Sequence, residues 1–453
     1  MAMTLDRQWV DNHMALLQEP IPATVREALG VLVADTVAIA SHARRERIGG
    51  ARVDFGLINA QAQGCAVWGA DYHATPADAA FLNGCAAEVL DFQEVLINPR
   101  NNGHAAVVIV PALLALAQQR GLGGERLLRA LWVAFAANIR LAEALGRGHR
   151  TGRPGFRTTS VLAPAAAALG AAALVSDDAE LALNSVALCA SSLNAGLLSG
   201  LSPQVGSYSL DKDFAVGFAA RHAVQALQLA EAGADGPRQP LTGEHGWLAS
   251  FGFGAEQPQS LLGDPLEADL GSYAIKPYPA CFGCQSAIRA ALMLAERVPL
   301  ARVDKVRVEV NQGSASSLST RSIGSSLAAR FSLPYAVSGA LVRARSGLAD
   351  FEAPALDEPA VQALMHCVEL YASPELSARQ QATGGFPAIV RLFHGDQEID
   401  AQACDGPQDG LDAAGRRELF RAKLGALCPP PLTERLLAFA REPERAAVLL
   451  FQT

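Results

Sequence analysis

VDKVRVEVN, residues 303–311, alternates apolar and polar side chains, and PAIVRLFHGDQEIDAQA, residues 387–403, does the same on both sides of its Gly395-Asp396 turn. A period of two marks strands of a sheet with one solvated face. These stretches decide the fold class, because the rest of the chain follows a different rhythm. Between them AIRAALMLAERV (287–298), FSLPYAVSGALVRA (331–344) and EPAVQALMHCV (358–368) repeat apolar residues at three- and four-residue steps, as helices do.

Outward from this region the chain reads as helix after helix. A helix begins at Pro22; a second follows Thr75-Pro76, an N-cap with proline behind it, and runs through ADAAFLNGCAAEVLDF to deliver Asp91 at its end. ERLLRALWVAFAANIRLAEALG opens after Gly123-Gly124 and closes at Gly146, and further helices begin near Ser160, Asp178 and Asp213. Beyond 411 helix returns in LDAAGRRELFRAKLGAL and ERLLAFA. The expected fold is mainly α: a large all-helical domain (1–270 and 403–453) with a smaller α+β lid domain inserted at 271–402. A chain of 453 residues exceeds one hydrophobic core, in keeping with two domains.

Composition narrows the function. The net charge is −8, aromatics are 6% of residues, and no lysine or arginine stripe is present, so nucleic acid is not an expected partner. The start, MAMTLDRQWVDNHM, lacks the apolar core of a signal peptide. The longest apolar stretches, Ala105–Ala117 and Val161–Val175, fall short of the roughly 18–20 residues of a membrane span and read as buried helices. Eight scattered cysteines suit reduced thiols, so the expected location is the cytoplasm.

KPYPACFGCQSAIRAA, residues 276–291, poses the chemical question. Cys281-x-x-Cys284 is a lone pair without a second pair or suitably spaced histidines, so two partly buried thiols outweigh a metal site. Lys276, held extended by Pro277, can instead enter a pocket. Asp91, His104 and Lys212 stand similarly isolated among apolar residues; taken singly, each is more often a helix-end residue, a capping histidine or a surface charge.

Together these segments resemble the MmgE/PrpD family, whose members include 2-methylcitrate dehydratase, cis-aconitate decarboxylase and iminodisuccinate epimerase. The likeness runs in order through FLNGCAAEVLDFQE, HAAVVIVPALLALA, GFRTTSVLAPAAAA, LDKDFAVGFAA, KPYPACFG, FSLPYAVSGALV and PAIVRLFHGDQEIDA. It implies a helical domain with an α+β lid, an active site in the cleft between them, no metal or organic cofactor, and a homodimer. It also implies catalytic roles for Asp91, His104, Lys212, Lys276 and Tyr335. The substrate class it implies is a small di- or tricarboxylate, which lysines clamp while a histidine or aspartate moves a proton beside the carboxylate. Arg157 stands where the family commonly has histidine, Ala215 and Gln285 replace two others, and Gln93-Glu94 replaces a second acidic pair position. Arg157 is therefore expected to grip a carboxylate, with Gln285 beside it, and 2-methylcitrate is not the expected substrate. The expected reaction is that of a lyase; an epimerase and a non-catalytic polycarboxylate-binding paralogue are the competing readings.

Overall fold

The computed structural model describes residues 3–52, 60–145, 156–197, 209–251 and 256–446. The fold is mainly helical, with a smaller α+β domain in the C-terminal half. The helical part is built from long apolar helices, among them Ala23–Arg45, Pro76–Glu88, Ala106–Arg120, Gly124–Ala144, Thr158–Val175 and Asp211–Glu231. Gly146, expected to close one of them, lies outside the described residues, as does Gly155. The most apolar helix, Thr158–Val175, is long enough to cross a membrane, yet 89% of it is buried inside the fold, as expected of a core helix.

Small residues set how closely these helices approach. A Cβ on Gly217 would lie 2.3 Å from Cys85 Sγ and 2.7 Å from the Phe81 carbonyl, and one on Gly84 would lie 3.2 Å from Gly217 Cα. The Asp211–Glu231 helix therefore rests backbone to backbone on Pro76–Glu88. That contact brings the start of one helix to the end of the other.

Two apolar cores lie on either side of residues 274–277. The first runs from Trp9 to Tyr273 and resumes with Leu424–Phe439; the second holds residues between Tyr278 and Cys404. In the second domain a four-stranded sheet has the order Val368–Ala372, Lys305–Val310, Ala388–His394, Gln397–Cys404; the first pair is parallel and the others antiparallel. Val306, Val308 and Val310 are buried and their neighbours half-buried, the alternation that their sequence announces. The edge strand Val368–Ala372 follows the helix Pro359–His366 after one residue, where the periodicity suggested uninterrupted helix through Val368. VELYA breaks the apolar–polar alternation, since Tyr371 is 50% exposed, so a period of two does not declare the strand.

The helix Phe282–Ala295 begins earlier than the apolar repeat from 287 suggests, so Cys281 is its N-cap and Cys284 and Gln285 lie in its first turn. A two-residue antiparallel ladder, Val95–Leu96 with Tyr273–Ala274, ties the loop after the Pro76–Glu88 helix to the domain junction. Nothing in the sequence foretold it.

Candidate active site

Thr75 caps the Pro76–Glu88 helix, its side chain accepting from Asp78 N, and the helix ends at Glu88. Three residues later Asp91 adopts a left-handed backbone (φ +50°), a conformation asparagine and aspartate tolerate better than most residues. This turn buries Glu88, Asp91, Gln93 and Glu94, each at 2% exposure or less. Four polar side chains in one buried turn need partners, and those partners define the site.

Lys212, in the first turn of the Asp211–Glu231 helix, lies 2.7 Å from Glu88 Oε1 and 3.9 Å from Asp91 Oδ1, and donates to the Glu88 carbonyl at 3.0 Å. Lys276 arrives from the domain junction and donates to the Asp91 carbonyl (3.0 Å) and to Asp91 Oδ1 (3.2 Å). Arg157, the residue before the Thr158–Val175 helix, places Nη2 2.5 Å from Glu88 Oε1 and donates through Nη1 to the Lys212 carbonyl. Burial opposes ionisation of Glu88, but Lys212 and Arg157 outweigh it and hold the carboxyl at about 2. Asp91 is likewise held below the usual carboxylate range: Lys276 and Lys212 overcome its burial. Asp91 Oδ2 is buried without a hydrogen-bond partner, an acceptor left open beside two ammonium groups.

His104 sits across this turn. Its backbone N–H donates to Thr159 Oγ1 at 3.0 Å, and its Nδ1 lies 2.5 Å from the Glu94 carbonyl. A carbonyl only accepts, so Nδ1 carries the proton and Nε2 keeps its lone pair. Burial and the nearby Lys276 lower the imidazole to about 4, so it is neutral at pH 7. The helix behind it, Ala106–Arg120, has Ala105 at its N-cap; Glu94 fills the vacancy by accepting from Ala106 N at 2.7 Å. Taken singly, His104 reads as a capping histidine, but the capping is done by Glu94. Burial raises the Glu94 carboxyl to about 8, so it is protonated at pH 7.

The structure thus brings Asp91, His104, Lys212, Lys276 and Arg157 together. Tyr335 lies elsewhere: its hydroxyl donates to the Asp350 carbonyl at 2.6 Å inside the second core, beside Phe351. Gln285 fastens the loop that carries Lys276, accepting from Tyr278 N and donating to the Tyr278 and Ala280 carbonyls at 2.9 and 2.8 Å. Arg157, expected to grip a ligand, directs its guanidinium at Glu88 and a backbone carbonyl. Lys276 is not on a solvated loop but 1% exposed.

Sequence reasoning missed Glu88 and Arg330, and noted Glu94 only as a departure from the family's acidic pair. Glu88 is hidden inside an otherwise apolar helix repeat, and its one signal was a glutamate on the face where the helix should be buried. Arg330, 1% exposed, pairs with Glu352 Oε1 at 2.6 Å within the second domain and reaches across the junction to the Val89 carbonyl at 3.5 Å, while its own carbonyl accepts from Cys281 N at 2.9 Å. Burial pushes the Cys281 thiol up to about 11, and all eight cysteines are free thiols. Among the described residues no group of three or more His, Cys, Asp or Glu side chains is arranged to hold a metal ion.

A helical domain joined to an α+β domain through a buried cluster of lysines, carboxylates and a neutral histidine defines the class: a two-domain, mainly helical protein with acid/base groups at its junction. The sequence pattern of the MmgE/PrpD N-terminal domain matches residues 9–259, and that of the MmgE/PrpD C-terminal domain matches 278–440. The chain belongs to the MmgE/PrpD family, a family of dehydratase and lyase type. The unmatched residues 260–277 between the two patterns include Lys276.

Proposed function

We propose that this protein is a lyase of the dehydratase or decarboxylase kind that removes a proton beside a carboxylate of a small di- or tricarboxylate. The observation that carries the reading is the convergence of Lys212 and Lys276 on Asp91 within the electrostatic reach of a neutral His104. An ammonium group has three N–H donors. Lys276 uses two on Asp91, leaving one for a substrate carboxylate, and Lys212 is similarly held by Glu88. With Glu88 and Asp91 ionised and His104 and Glu94 neutral, the two lysines and Arg157 leave the cluster one positive charge in excess, a setting that draws in anions.

For a dehydration the balance is direct. His104 Nε2 takes the proton from the carbon next to the carboxylate, and the C–H electron pair becomes the second bond of the alkene. The C–O bond breaks toward the hydroxyl oxygen, which takes a proton from an ammonium N–H and leaves as water. Meanwhile the lysines offset the negative charge that gathers on the clamped carboxylate. Asp91, held ionised, positions the two ammonium groups rather than giving up a proton.

The test is incubation of the whole protein in heavy water with a panel of citrate-like and dicarboxylate compounds, 2-methylcitrate included. Solvent deuterium should enter the carbon beside a carboxylate in at least one compound, with alkene formed or carbon dioxide released. Exchange that only scrambles a stereocentre would make the protein an epimerase, and binding without exchange in any compound would overturn the catalytic reading.

A further inference from the structure

On the far side of the Ile275–Pro277 segment lies a second cavity, of about 730 Å³, that shares only Lys276 with the cluster described above. Its walls are the first turns of the Ala23–Arg45 helix, the Ala413–Leu427 helix and the end of the Pro430–Arg441 helix. Five arginines line it: Arg26, Arg416, Arg417, Arg421 and Arg441. Lys276 and Lys423 complete the cationic lining, and only two carboxylates, Glu27 and Glu444, face them. Such an excess is unexpected in a chain of net charge −8.

The lysines are already matched, Lys276 by Asp91 and Lys423 by Asp35 at 2.6 Å, and Arg26 is forked onto Glu125. The remaining arginines meet no described carboxylate across the cleft, and the side chain of Arg416 donates only to the Leu411 carbonyl at 3.1 Å. The side chains of Arg417 and Arg441 make no hydrogen bond or ion pair to any described residue, and that of Arg421 has only Glu418 at 3.6 Å. Arg417 and Arg421 are four residues apart on one helix, a spacing at which like charges repel. The wall facing them ends in the N-terminus of the Ala23–Arg45 helix, where Pro22 offers no side-chain cap to the free N–H groups. Repelling guanidinium groups, an uncapped helix start and a concave volume of this size are all relieved by one thing, an anion.

We propose that this cleft is a second anion site, for a compact molecule bearing two or more carboxylate or phosphate groups, and that its occupancy is felt at the catalytic cluster through the Ile275–Pro277 segment. Planar guanidinium forks match either group through paired hydrogen bonds, while Phe420 and Leu437 line the apolar part of the wall. Lys276 is the link, since it lines the cleft and also holds Asp91. An anion in the cleft changes the field at that ammonium and stiffens the segment on which it sits. The proposal does not depend on which reaction the cluster performs.

The test uses calorimetry at low ionic strength on the whole chain, with citrate and with pyrophosphate as probes, for the natural sequence, for Arg417→Glu/Arg441→Glu and for Lys212→Met. Both arginines are exposed and unpaired among the described residues, so the double variant should keep the unfolding midpoint of the natural chain. It should bind at least one probe about tenfold or more weakly, because two charge-assisted contacts turn into repulsions. Lys212→Met should retain that binding. Amide exchange at Ile275 and Lys276 should slow when the probe is bound. Tighter binding of citrate assigns the cleft to polycarboxylates, and tighter binding of pyrophosphate assigns it to organic phosphates. Binding of both probes undiminished by the arginine reversals, or lost instead in Lys212→Met, would overturn the site; unchanged exchange at 275–276 would overturn the coupling.

Discussion

Two buried lysine–aspartate pairs lie close enough to feel each other, and they differ in what surrounds them. Lys423 joins Asp35 at 2.6 Å, donates to the Phe92 carbonyl at 2.8 Å and rests 4.0 Å over the Phe92 ring. Both partners stand on helices, Ala23–Arg45 and Ala413–Leu427, and burial pulls both toward neutrality, Asp35 up and Lys423 down. Lys276 joins Asp91 from a turn and an interdomain segment, with Lys212 at 3.9 Å and the open Asp91 Oδ2 beside them. The first pair locks two helices together. The second keeps donors and an acceptor in reserve at a place where two domains meet, which is what a reacting group requires.

The comparison can be broken first at the histidine. His104→Asn keeps a donor for the Glu94 carbonyl but has no basic nitrogen, so kcat should fall about 10²- to 10⁴-fold while the unfolding midpoint hardly moves. Retained turnover would move the base elsewhere. Next come the lysines. Lys423→Met and Lys276→Met each strand a buried carboxylate, and each should lose about 3–5 kcal/mol in denaturant unfolding. Pairing the first with Asp35→Leu and the second with Asp91→Asn should return most of that stability. Turnover should return in the first double variant only. If both recover it, the two pairs are equivalent and the site has been misplaced.

Acidity sharpens the contrast by a smaller effect. A plot of kcat/KM against pH should fall below about 4, where His104 gains a proton, and above about 8, where Glu94 loses one. The signs for stability follow from the same shifts. Glu94, raised above its ordinary 4.5, contributes stability that is full below that value and is lost as pH rises through about 8. His104, lowered from 6.5, contributes stability that is present above 6.5 and is lost as pH falls through about 4. Glu94→Gln should flatten the alkaline limb alone. The smallest effect belongs to Tyr335→Phe, which removes one hydroxyl bond inside the second core: about 0.5–1.5 kcal/mol in unfolding, with kcat within about twofold. A large fall in kcat would place that hydroxyl at the substrate after all.

Much of this was legible beforehand because it rests on local rules. Thr75-Pro76 announces a helix start, and the alternation of Val306, Val308 and Val310 announces a half-buried strand. Asp91, His104, Lys212 and Lys276 stand out because polar residues in apolar surroundings need a reason to be there. Glu88 did not stand out, since its meaning depends on Lys212 and Arg157, which lie far along the chain. Nor did Glu94, which caps a helix twelve residues later by crossing the turn rather than by adjacency. The motif around Tyr335 fixes a helix start, Ser332 accepting from Tyr335 N, and says nothing of where the hydroxyl goes. The depth of Lys276 was not legible, because proline sets backbone direction and not burial.

The return of the chain to its first domain carries a consequence for the order of assembly. The Ala23–Arg45 helix is completed by residues made some four hundred positions later. Lys423 meets Asp35, the Leu427 carbonyl accepts from Arg45 and lies 3.1 Å from His42 Nδ1, and a Cβ on Gly30 would sit 2.7 Å from the Ala440 carbonyl. During synthesis that helix has an unsatisfied aspartate and a bare apolar flank until residues 413–441 have been made. Closing contacts of such long sequence separation are slow and leave apolar surface open in the meantime. A chain stopped before residues 413–441 leaves that flank open, and should be more exposed to aggregation and to proteases than one that carries them.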